Sequence, residues 1–138
     1  MNLVVDSNIF FSAIISPRGK TAELLLLADI KLYSVRTLET EILKHKPEII
    51  KKTSLSKNEL EILLTIFLNK IKFLEYNELE NYLDQAKRIC PDKDDTAFFA
   101  VCLTKNFPLW SNDKKLKQQN IVKVINTEEL IKICDNHY

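Results

Sequence analysis

A chain of 138 residues with 46% hydrophobic and 28% charged side chains, one glycine and four prolines suits one folded domain and excludes a disordered or collagen-like polymer. A formal net charge of +1 excludes a strongly basic body that grips nucleic acid over its whole surface, so any such binding must come from local clusters. No apolar run approaches the roughly 20 residues that span a bilayer, and the start lacks the basic and long apolar regions of a signal peptide, so the expected compartment is the cytoplasm, with no membrane partner.

Residues 2–5, ending in Asp6, read as a first strand with an acid at its C-terminal tip. Ser7 and Asn8 turn the chain into a short apolar helix at 9–15, stopped near Pro17, which disfavours helical geometry at Ser16. A second helix is expected at 20–29 and a second strand at 31–35. Thr37 can cap a third helix that holds Glu39 and Glu41 and runs toward Lys52 with an interruption near Pro47. Ser56 and Glu59 match a capping box ahead of Leu60, Leu63, Leu64, Phe67 and Leu68, the clearest helical period in the chain. A third strand is expected at 71–74, and Asn77 with Glu80 offers a second capping box for a helix to about Ile89.

The stretch at 91–117 carries the densest chemistry. Asp92, Asp94 and Asp95 cluster before an apolar run at 96–104 that reads as a buried helix with Asp95 in its first turn. Asn106 and Pro108 stop that helix, a short strand is expected at 109–111, and Asp113 follows directly. A last strand is expected at 121–125, and Asn126 with Glu129 caps a terminal helix. Strands alternating with helices predict one α/β domain over 1–138, a three-layer sandwich with a parallel sheet of about four or five strands and helices on both faces. Cys90, Cys102 and Cys134 are odd in number and lack CxxC spacing, so they read as free thiols; His45 and His137 leave little room for imidazole-based metal chemistry.

In such a sheet ligands bind outside the C-terminal strand ends, where Asp6 and Asp113 fall, and Glu41 and Asp95 sit near helix starts on that side. Each acid alone has a structural explanation as a helix cap or turn residue. Together they form a pocket of like charges, which makes physical sense as a site for Mg²⁺ or Mn²⁺, cations that prefer hard oxygen ligands. Arg36, Lys44, Lys114, Lys115 and Lys117 neighbour these acids in sequence and are the candidate phosphate-contacting basic rim.

Taken in order, Val4 to Ile9 around Asp6, Leu38 to Ile42 around Glu41, Asp92 and Asp95 before the apolar helix, and Leu109 to Asp113 resemble the PIN-domain family, which includes the toxin components of toxin–antitoxin pairs. The resemblance covers residues 2 to about 130. It implies a PIN-like fold and a Mg²⁺- or Mn²⁺-dependent endoribonuclease whose catalytic and metal-binding acids are Asp6, Glu41, Asp95 and Asp113, with Asn8, Asp92 and Ser111 in support. It implies single-stranded RNA as substrate and admits a cognate antitoxin as partner. The apolar first helices, with Phe10, Phe11, Ile14, Ile15 and residues 24–27, add the expectation of a homodimer. The competing reading is a catalytically silent PIN-like module that binds RNA or protein. A receiver-like switch lacks its phosphoacceptor Asp after the third strand, where Glu75 stands, and one glycine cannot make a phosphate-cradling loop.

Overall fold

The computed structural model describes residues 1–136; His137 lies outside them. The strands are β1 (Asn2–Val5), β2 (Lys31–Val35), β3 (Ile71–Leu74), β4 (Leu109–Trp110) and β5 (Val124–Ile125). The α-helices are α1 (Ser7–Ile15), α2 (Lys20–Leu25), α3 (Thr37–Lys44), α4 (Lys46–Lys52), α5 (Lys57–Lys70), α6 (Leu83–Ile89), α7 (Thr96–Lys105) and α8 (Thr127–Asp135). The strands form one parallel five-stranded sheet in the order β3-β2-β1-β4-β5.

That order fixes the layers. The chain builds outward from β1 through β2 to β3, then returns past β1 to lay down β4 and β5. Because crossovers between parallel strands are right-handed, the reversal sends the later helices to the opposite face. Accordingly α1 to α5 pack among themselves on one side, with Phe10 of α1 edge-on to Phe67 of α5, while α6 and α7 pack together on the other, α7 lying across β1, β2 and β4. A strand covered on both faces must be apolar on both, and Leu3, Val4 and Val5 are all fully buried. Between β1 and β4, where the direction of building reverses, the sheet has its switch point, the usual place for a ligand in an open α/β sheet.

Local chemistry explains where elements start and stop. Ser56 and Glu59 make the expected reciprocal cap of α5, and Asn126 with Glu129 that of α8. Asn106 ends α7 with φ of 59°, a left-handed conformation that asparagine tolerates better than most residues. Other expectations are corrected. Ser7 and Asn8 already belong to α1, and α2 ends at Leu25 rather than Asp29. Thr37 lies inside α3 and does not cap it, since Arg36 is the preceding residue and makes no side-chain cap bond. The interruption before α4 falls at His45, which leaves Pro47 in the first turn, where its missing N–H costs nothing.

Residues 76–82 form a 3₁₀ segment rather than the start of a long α-helix, and its capping box is set earlier, between Glu75 and Glu78. The last strand is shorter than expected for a definite reason. The Gln119 amide accepts from the N–H groups of Ile121 and Val122 and donates to the carbonyls of Leu116 and Val122, so a side chain takes the backbone groups a ladder would need. Most of the apolar surplus of the first helices is core: Phe10, Ile14, Leu24 and Leu25 are buried, Phe11, Ile15 and Leu27 are half-buried, and Leu26 is exposed. All three cysteines are free, as expected.

Candidate metal centre at the switch point

β1 ends at Val5, whose carbonyl accepts a hydrogen bond of 2.9 Å from the buried hydroxyl of Ser34 on the neighbouring strand. The chain turns there into α1, and Asp6 becomes the N-cap, its Oδ1 accepting from Ile9 N–H at 3.0 Å. Asp6 is only 2% exposed. Burial raises its pKa; a hydrogen bond from Ser111 and the backbone N–H groups of Ile9 and Asn8 oppose that rise, and the charge of Asp113 adds to it.

On the other side of the switch point, β4 is held by its neighbours. Leu109 and Ser111 donate backbone N–H bonds to Lys123 and Ile125, and the fully buried Trp110 donates its indole N–H to Thr127 Oγ at 3.0 Å. Asn112 accepts from Thr127 N–H at 2.8 Å, tying the loop to the start of α8. Asp113 then opens a 3₁₀ turn at Lys114–Gln118, its Oδ1 capping Lys115 N–H at 3.0 Å. Ser111, 1% exposed, accepts from Asp113 N–H at 3.2 Å and hydrogen-bonds Asp6, so one hydroxyl spans two acids from opposite ends of the chain.

The third contribution comes from the 3₁₀ turn Lys93–Asp95 that leads into α7. Asp92 caps this turn through Asp94 N–H, and its backbone carbonyl accepts from the Cys90 thiol at 3.0 Å. Asp95 is the N-cap residue of α7 yet makes no side-chain cap bond, so the structural role available to it goes unused. Asp92, Asp95 and Asp113 each offer a carboxylate oxygen within 4.8 Å of the others. No ion pair among the described residues neutralises any of them, although Lys93 and Lys114 are adjacent in sequence. Partial burial and then the charges of Asp6, Asp92, Asp113 and Asp94 push the Asp95 carboxyl up to about 6. Hard oxygens, half buried and without a counter-charge, fit a divalent cation.

Of the expected acids, Asp95 and Asp113 therefore meet, Asp92 joins them as a full member of the group, and Asp6 stands outside it, coupled to it through Ser111 and by its charge on Asp95. Glu41 lies exposed on α3 outside that group, while its competitor Glu39 is bound to Arg36 at 3.0 Å. Asn8 contributes a backbone N–H toward Asp6, and its side chain is exposed. In the expected basic rim, Arg36 is committed to Glu39 and Glu75 and lies over the Phe73 ring, and Lys117 pairs with Glu129. Lys44, Lys114 and Lys115 are exposed and make no ion pair among the described residues. The sequence signal for Asp92 was its place as the first acid of a tight turn; that for Ser34 was absent, since a lone serine in a strand announces no partner.

The repulsion has a sign that can be checked. Asp95 holds its proton in the folded chain to about pH 6 but releases it near 3.8 when unfolded, so the fold binds more protons across that interval and loses stability as pH rises through it. Ion-free protein is expected to melt higher at pH 5 than at pH 7.5. Asp95 contributes on the order of 1 kcal/mol, a figure reduced from the full shift because the group is partly exposed. Asp95→Asn should flatten that slope, measured by thermal melts in EDTA; identical slopes in the two proteins would contradict it.

Comparison with curated proteins finds no match. Among solved structures, the crystal structure of VapBC2 from Rickettsia felis bound to a DNA fragment from their promoter is similar, with a TM-score of 0.61 and 19% sequence identity over 91% of this chain and 98% of that one. At that identity the likeness is one of fold. The family description that matches is the PIN domain, over residues 4–132, from the middle of β1 into α8 and through every acid described above. On that match, the chain belongs to the PIN-domain family.

Proposed function

We propose that the protein is a Mg²⁺- or Mn²⁺-dependent endoribonuclease that hydrolyses RNA phosphodiester bonds, and that it is the toxin of a toxin–antitoxin pair. The observation that carries the reading is the convergence of Asp92, Asp95 and Asp113 within 4.8 Å, beside the buried Asp6, with no cation of the protein's own among them. A silent binding module has no need to retain a cluster that repels itself.

Asp6, Asp95 and Asp113 would hold the metal, with Asp92 beside them and Glu41 as a further acid whose carboxylate, unlike that of Glu39, is not committed to Arg36. Held by these carboxylates, a divalent ion would supply Lewis-acid polarisation of the phosphoryl group and a more acidic attacking water. The protein's own part is to hold the carboxylates ionised and in place. Ser111 orients Asp6 and receives Asp113 N–H, the start of α1 fixes Asp6 with backbone N–H groups, and Asn8 stands beside it. Lys44, Lys114 and Lys115 are the free cations of the rim for single-stranded RNA, with Arg36 and Lys117 exchanging their present carboxylate partners for phosphate.

The first test is stability. Ion binding to the folded state alone raises the melting temperature, and an ion at a hundred times its Kd adds about 2.7 kcal/mol. Millimolar Mg²⁺ or Mn²⁺ should produce that rise in the parent and not in Asp113→Asn; absence of any binding by calorimetry would remove the site. Cleavage of single-stranded RNA in Mn²⁺, stopped by EDTA, tests the activity itself.

The partners proposed are a cognate antitoxin and a second copy of the chain, in the cytoplasm. Supporting them, Leu43, Ile50, Ile62 and Ile66 are exposed on the three consecutive helices α3, α4 and α5. Among the described residues no helix is long and apolar enough to cross a membrane. Light scattering at micromolar concentration is expected to report a dimer; a 16.1 kDa particle throughout would exclude it.

A further inference from the structure

Beside the acid cluster lies a second feature that metal binding does not use. The 3₁₀ turn that carries Asp92 and Asp95 toward the carboxylate group presents Lys93 and Asp94 to a cavity of about 450 Å³. Its other walls include Tyr76, Leu83, Lys87 and Ala97. Tyr76 opens the segment directly after β3, so it stands at the C-terminal edge of the sheet, the edge from which Asp6 and Asp113 also emerge. Tyr76 is 54% exposed, and no ring among the described residues packs on it. Neither lysine, nor the Asp94 carboxylate, has a hydrogen-bond or ion-pair partner among the described residues.

The chemistry of these walls is selective. Tyr76, Leu83 and Ala97 line one cavity, and an exposed aromatic among apolar walls suits stacking of a planar base. Two ammonium donors and one carboxylate acceptor complement the edge of guanine, whose O6 accepts beside the N1–H and N2–H₂ donors. Uracil presents carbonyls on both sides of its single N–H, and cytosine and adenine present one amino group each. Volume is sufficient, since binding cavities for small ligands run from roughly 300 to 1,000 Å³.

We propose that this cavity seats a guanine of single-stranded RNA flanking the phosphate to be cut, stacked on Tyr76 and read along its edge by Asp94, Lys87 and Lys93. The subsite rests on the ribonuclease reading above, and it makes Tyr76 and Asp94 specificity residues that take no part in the chemistry.

The test is binding without cleavage: fluorescence anisotropy of a short labelled single-stranded RNA containing one guanine, in EDTA at low salt, against the same RNA with inosine, which lacks the N2 amine. Tyr76→Ala should weaken binding of the guanine RNA about tenfold, and Tyr76→Phe, which keeps the stacking face, should leave it near the parent. The parent should prefer guanine over inosine by about fivefold, and Asp94→Asn should erase that preference. Equal affinities across the parent and all three variants would overturn the subsite and leave the ribonuclease proposal standing. No RNA binding by the parent would overturn both.

Discussion

Replacing Asp113 by Asn is expected to lower metal-dependent RNA cleavage by on the order of 10³-fold while leaving the fold in place, because a bound ion supplies several kcal/mol of transition-state stabilisation that a neutral amide cannot help to hold. The separation of effects follows from what each oxygen does. Asp113 Oδ1 caps Lys115 N–H, a task that the Asn side-chain oxygen performs equally well. Asp6→Asn likewise keeps its cap on Ile9, and Asp95→Asn surrenders no cap because Asp95 makes none. All three substitutions remove a charge from a cluster that raises the pKa of its own members, so in EDTA the variants should melt no lower than the parent. Glu41→Gln is expected to follow them, whereas Glu39→Gln should retain activity and lose only the exposed pair with Arg36. Cleavage at the parental rate by folded Asp6→Asn or Asp113→Asn would sink the mechanism; a silent Glu41→Gln would remove only that one residue from it.

The largest structural effect is expected at Trp110. Truncating a buried large aromatic to alanine costs about 3–5 kcal/mol, and Trp110→Ala should sit at the upper end because the site cannot easily collapse. β4 has two residues, Trp110 is fully buried between its neighbours, and its indole N–H is the bond to Thr127 that joins the sheet to α8. Asp113 lies just beyond, so the loosened edge should also weaken Mn²⁺ binding, measured by calorimetry at a temperature where the variant is still folded. Tyr76→Ala, on an exposed ring, should shift the denaturant midpoint little by comparison. A loss below 1 kcal/mol at Trp110 would mean that the β4–β5 edge is held by something other than this ring.

Much of this architecture was legible before any coordinates. A continuous apolar run at β1 marks a strand buried on both faces, and the Ser56–Glu59 and Asn126–Glu129 pairs mark helix starts whose chemistry is local, so both survive into three dimensions unchanged. Where tertiary partners decide, sequence reading fell short. Gln119 holds residues 121 and 122 in a side-chain-stapled turn that hydrophobic pattern alone reads as strand, and the 3₁₀ segment at 76–82 starts from Glu75, outside the box that pattern favoured. At the site, Asp6, Asp95 and Asp113 could be picked because strand ends and helix starts are predictable places. The choice among Asp92, Asp94 and Asp95 could not be made that way, because direction within a single tight turn depends on backbone geometry: Asp92 and Asp95 face Asp113, and Asp94 faces away into the cavity.

The reversed strand order also governs when the acid cluster is assembled. β1, β2 and β3 can assemble as soon as residues 1–74 exist, with α1 to α5 covering one face. β1 nevertheless waits, one edge open, until β4 arrives from more than a hundred positions later, and long loops of this kind close late. Asp6 precedes Asp113 by more than a hundred positions, and the hydroxyl that links them, Ser111, belongs to the later segment. A chain made only as far as β3 therefore holds Asp6 but none of Asp92, Asp95 and Asp113, however well that first half has folded. The order of the strands thus defers completion of the carboxylate group until β4 docks beside β1.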